Sequence, residues 1–183
     1  MPLPRGLYLL VLTLACSSRP APLLTTSSYF GPDSFPYGRC FGKALWQVGE
    51  PSLRHTEAVS FRLTHMGEPC SPSQVWRLEA TASDTSLTYL EAVGALDRYG
   101  RHHSWRATRR SIDHHRWTQW LELRKAWGAF GAVAMNMEPL LGGDWYLAEW
   151  HDSSGYHWGG TNSPDISYDQ AQSWLTFLVS DTL

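Results

Sequence analysis

From Val59 the chain alternates. Val59, Phe61 and Leu63 fall on one side of an extended segment, with Ser60, Arg62 and Thr64 on the other. Period two of this kind predicts a half-buried strand within 55–67. The next stretch repeats the pattern, with Val75, Arg77 and Glu79 opposed to Trp76, Leu78 and Ala80. Segment 86–96 is two-valued: Leu87, Leu90, Val93 and Leu96 lean towards a helical stripe, and Gly94 weakens it. Segment 113–127 is two-valued as well. Trp117, Trp120, Leu121 and Trp127 fit a helix capped by Asp113, whereas a strand would align Trp117, Gln119, Leu121 and Leu123. The small apolar run 128–137 must be buried, and Ser167 with Gln170 forms a capping box ahead of Trp174, Leu175 and Leu178. This order predicts an α+β fold, mainly antiparallel β in a sandwich or barrel, with a C-terminal helix covering it.

One stretch concentrates reactive side chains. Between Gly142 and Gly160 the sequence reads GGDWYLAEWHDSSGYHWGG, a hairpin pattern. A three-residue loop of Ser153, Ser154 and Gly155 would set Asp152 opposite Tyr156, His151 opposite His157 and Trp150 opposite Trp158. Tyr146, Ala148, Trp150, Asp152, Tyr156 and Trp158 would then share one face, and Glu149, His151 and His157 the other. Two imidazoles and a carboxylate on one face could hold a divalent ion such as zinc and serve a hydrolase. The register carries that reading, because a loop of different parity splits the histidines.

Charge adds a second candidate. The chain's net charge is −2. From Asp97 to Lys125 eight basic residues face three acidic ones, a balance of +5, while from Ala126 onward seven acidic residues meet no Lys or Arg. Opposed fields on one small domain either satisfy each other or steer a charged partner. Arg106, Arg109, Arg110 and Arg116 are interleaved with Trp105 and Trp117, which suits phosphate or sulfate forks and cation–π contacts. With Trp150, Tyr156 and Trp158 they form the predicted binding set. The paired histidines His102–His103 and His114–His115 diverge on either a strand or a helix and preset no chelate.

The N-terminus assigns a compartment. Arg5 precedes an apolar run from Leu7 to Ala15, and Ala15 and Ser17 satisfy the small-x-small cleavage rule. The sequence thus divides into a signal peptide over 1–17, an irregular Pro/Gly/Ser-rich segment over 18–38 and one globular domain over 39–183. The expected protein is secreted, with no transmembrane anchor. Cys16 leaves with the signal unless it is lipidated, and Cys40 and Cys70 remain to form one disulfide. No Gly-x-Ser-x-Gly elbow or phosphate-binding glycine loop is present. The favoured expectation is a non-catalytic protein without cofactor, binding an extracellular protein, or an acidic or sulfated partner, through surface aromatics and the arginine-rich segment. Nucleic acid is a poorer fit to that compartment. The alternative is a secreted zinc-type hydrolase using Glu149, His151 and His157.

Overall fold

A computed structural model describes residue 30 and residues 38–68, 71–95, 97, 104–126, 144–161 and 166–180. The elements run α1 (Gly38–Gln47), a 3-10 turn (Leu53–His55), β1 (Val59–Glu68), β2 (Ser71–Ala80), β3 (Thr85–Val93), β4 (Ser104–Ser111), α2 (His114–Ala126), β5 (Trp145–Asp152), β6 (Gly155–Thr161) and α3 (Ile166–Ser180). The strands form one open antiparallel sheet in the order β4-β3-β2-β1-β5-β6. The antiparallel, helix-capped class agrees with the pattern of the sequence. The sandwich or barrel is corrected: among the described residues helices, not a second sheet, cover the strands, and the sheet is open, with β4 and β6 as its outermost strands.

Each face has its own core. On one, Phe61, Leu63, Trp76, Leu78, Leu87, Tyr89, Tyr146, Ala148 and Trp150 meet Trp120 of α2 and Ala171, Leu175 and Leu178 of α3. Trp120 lies 4.5 Å from the Phe61 ring and 5.2 Å from Trp174. On the other, Met66, Val75, Leu90, Trp145 and Leu147 meet Phe41 and Leu45 of α1. Burial on both sides removes clean alternation. Segment 86–96 is therefore a strand rather than a helix, sending Leu87 and Tyr89 to one core and Leu90 to the other. For the same reason β1 is not half-buried: Ser60, Arg62 and Thr64, its polar side, are buried too.

Local chemistry fixes the helices. Segment 113–127, open between helix and strand in the sequence, is helical over His114–Ala126, and Asp113 Oδ1 accepts from Arg116 N at 2.8 Å, capping α2. The helix α1 was not expected. It ends in a Schellman turn, with Glu50 N donating to Leu45 O at 2.9 Å, Gly49 N to Trp46 O at 3.0 Å, and Gly49 at φ 79. The C-terminal helix begins at Ile166, slightly ahead of the Ser167 cap position. Cys40 falls in α1, but its side chain and Cys70 lie outside the described residues, as do the signal segment 1–17, most of 18–38 and the apolar run 128–137. No helix among the described residues is long and apolar enough to cross a membrane.

Candidate functional site

The β5–β6 hairpin is one residue tighter than its glycine suggests. Asp152 pairs with Gly155, His151 with Tyr156, Trp150 with His157 and Glu149 with Trp158, leaving Ser153 and Ser154 as the loop. Asp152 supplies the reason. Its Oδ1 accepts from Ser154 N at 2.8 Å and Ser154 Oγ at 2.5 Å, an Asx-turn that closes the loop early. Gly155 opens β6 at φ 107, a backbone that an L side chain resists. Gly155→Ala is expected to cost about 1–2 kcal/mol in chemical denaturation, although nothing lies within 4 Å of the added methyl.

The tighter register splits the predicted metal set. His157 joins the face of Trp150, whose ring it stacks at 5.2 Å, while its Nε2 lies 2.9 Å from Ser154 Oγ. Glu149 and His151 remain on the α1 face, now with Tyr156 and Trp158. Glu149, fully buried, is held by Arg62 through Nε–Oε2 at 2.6 Å and Nη2–Oε1 at 2.7 Å. No group of three or more His, Cys, Asp or Glu among the described residues could hold a metal ion. The His/His/Glu site is therefore not assembled, and the geometric basis of the zinc-hydrolase reading goes with it.

In its place stands a buried polar network. Arg62 Nη1 donates to Pro51 O at 2.7 Å and to Glu50 Oε2 at 3.3 Å, and Arg77 Nε reaches the same Glu50 oxygen at 2.9 Å. Arg77 also pairs with Glu79. Tyr156 donates to Glu149 Oε1 at 2.9 Å. Burial, then the adjacent Glu149 carboxylate, pushes the Tyr156 phenol far above its ordinary pKa. Burial pulls the Arg62 guanidinium down, but Glu149 and Glu50 outweigh it and hold it charged. The network holds positively charged, negatively charged and phenolic groups in mutual contact.

A second constellation resembles a hydrolytic triad only in composition. His65 Nδ1 lies 3.0 Å from Ser73 Oγ, and Nε2 lies 3.2 Å from Asp144 Oδ1. The Ser73 hydroxyl also lies within donating distance of His65 O, at 3.1 Å. Sequence reading missed this cluster because its members sit in three separate strands or strand ends.

At the hairpin tip Arg124 of α2 pairs with Asp152 and lies 5.9 Å over the Trp150 ring. This contact joins the basic and acidic thirds of the chain. Burial raises the Asp152 carboxyl, but Ser154 and Arg124 hydrogen bonds lower it more, to about 2. A depressed folded pKa stabilises the fold above the ordinary value of 3.8 and loses that contribution as pH falls towards 2. Acid unfolding of Asp152→Asn should lack this component of the slope between about pH 4 and 2, as followed by circular dichroism.

The remaining predicted binding residues divide between core and edge. Trp150 is buried; Tyr156 and Trp158 are half-buried against the α1 core, and Trp117 against the other. The strand β4 stands at the edge of the sheet and separates its side chains by alternation. Arg106 and Arg110 share the α2/α3 face, because their partners Glu91 and Leu87 flank Tyr89 in β3, whereas Trp105 and Arg109 share the α1 face. Arg106 bonds Glu91 at 2.9 Å yet remains 69% exposed, and Arg109, also exposed, reaches Ser86 Oγ at 3.2 Å. Arg116 follows in the first turn of α2, 3.5 Å from Asp113. The structure thus brings the arginines to one margin and takes most of the aromatics away from it. Comparison with known proteins adds no family: no family model and no curated protein matches the chain.

Proposed function

We propose that the chain is a secreted, non-catalytic binding protein that engages an extracellular partner through the basic margin of β4 and the first turn of α2. The supporting observation is the exposed row Arg106, Ala107 and Arg109 on an edge strand, with exposed His114 and His115 just beyond. Arginine is well suited to this role because its planar fork grips carboxylates or sulfates in water. Only Trp105 of the predicted aromatic set accompanies the arginines on β4, half-buried against the α1 core. The partner is an acidic extracellular protein, with a sulfated glycan as the competing outcome.

The test compares wild type with Arg106→Glu plus Arg109→Glu for retention on cells expressing or lacking sulfated glycans. Reversal of exposed charges should leave the urea midpoint nearly unchanged and weaken retention by about tenfold or more, with a reduced salt dependence. Undiminished retention overturns the proposal. Retention that disappears on glycan-deficient cells assigns the glycan instead of a protein. The same reading carries leader removal after Ser17 and a Cys40–Cys70 bond; N-terminal sequencing and non-reducing peptide mapping of the secreted chain test both.

A further inference from the structure

The backbone of β4 carries the proposal one step further. Ile112 N donates to Thr85 O at 2.8 Å, which phases the β3–β4 ladder. In an antiparallel pair, residues bonded across the ladder alternate with residues whose N–H and C=O point the other way. The register Leu87–Arg110, Tyr89–Thr108 and Glu91–Arg106 continues the inward phase set by Ile112. Ala107, Arg109 and Ser111 therefore aim their amides and carbonyls away from β3, where no described strand pairs with them. Ala107, Arg109 and Ser111 are exposed.

We infer that this edge takes up an acidic, extended segment of the protein partner as an added seventh strand. The inference rests on the binding reading above and specifies its mode. Charge selects the occupant. A second copy paired through its own β4 would bring arginine-bearing strands together, and like charges across a ladder oppose pairing. A segment with carboxylates on both faces meets Arg106 on one side of the sheet and Arg109 on the other, while its backbone bonds the outward groups. The same arginines discourage an apolar edge from docking.

The probe is a fluorescent eight-residue peptide alternating Glu-Glu and Val-Val pairs, which puts carboxylates on both faces of an extended strand, with a proline-interrupted version of it as control. Ala107→Pro removes one outward N–H, keeps every arginine and is a substitution that an edge strand tolerates. Wild type should bind the alternating peptide at least tenfold more tightly than the control, and both Ala107→Pro and the double arginine reversal should lose that margin. Hydrogen exchange on the unaltered protein gives an independent reading. Peptide should slow the amides of Ala107, Arg109 and Ser111, leaving those of Arg106, Thr108 and Arg110, already bonded to β3, nearly unchanged. If Ala107→Pro binds as wild type and the odd-numbered amides stay unprotected while arginine reversal still abolishes binding, strand addition is overturned and the basic margin stands. If neither variant matters, both readings fall. Heparin bound equally by wild type and Ala107→Pro, with no peptide bound, assigns the site to a glycan and also overturns strand addition.

Discussion

Arg62→Ala should destabilise the domain by about 3–5 kcal/mol, read as a lower urea midpoint at constant slope. Arg62 is fully buried in the central strand, where water cannot replace what it supplies. It pairs with both oxygens of Glu149, shares Glu50 with Arg77 and satisfies Pro51 O. Removing it strands the Glu149 carboxylate beside the Tyr156 hydroxyl and leaves Glu50 with Arg77 alone among these contacts. An uncompensated buried charge, rather than the lost attraction, dominates the cost. The double variant Arg62→Met plus Glu149→Met removes both charges and should regain a large part of the loss; equal or greater instability in the double variant would refute this account. The pair also fixes register. Arg62 lies directly opposite Glu149 between β1 and β5, and a slip of one residue would turn the guanidinium into the aromatic face.

That network shows why the sequence yields some of the architecture and little of the site. Alternation of Phe61 and Leu63 against Arg62 and Thr64 was visible, but arginine and threonine read as a wet face. Only the tertiary arrival of α1, with Glu50 delivered by its Gly49 turn, makes that face dry. The helix itself left a signal: Phe41, Ala44, Leu45 and Val48 recur at helical spacing, and Gly49 ends the run. Proline and glycine in the preceding residues masked it. The C-terminal helix was legible from the spacing of Trp174, Leu175 and Leu178, and the α2 cap from Asp113. The hairpin register was not, since Asp152 bonding Ser154 outcompeted the glycine-based loop, a choice between turns of similar energy. One residue of register decided whether His157 stood beside His151 or on Trp150. The arginine cluster was legible as a cluster. Its arrangement on an edge strand was not, because position in the sheet depends on which strands pair and not on β4 alone.

Trp120→Ala is the second large effect, about 3–5 kcal/mol. The indole is 1% exposed and stands between layers: Phe61 of β1 lies 4.5 Å away beneath it and Trp174 of α3 lies 5.2 Å to its side. Alanine removes the indole's contacts with Phe61 of the sheet and with Trp174 of α3 at once, opening a void that a rigid pleated surface cannot collapse to fill. The loss should therefore be selective. Amides of α2 and α3 should exchange faster than those of β1–β3 under native conditions, because the α1 face keeps its own core around Phe41, Leu45 and Trp145. Trp120→Phe keeps an aromatic ring over Phe61 and should lose less than half as much. A uniform acceleration across both faces would show instead that the two cores unfold as one unit. On the proposed binding reading, α2 begins immediately beyond β4, so loosening it should weaken binding through Arg116 while the outward amides of β4, held by β3, keep their phase.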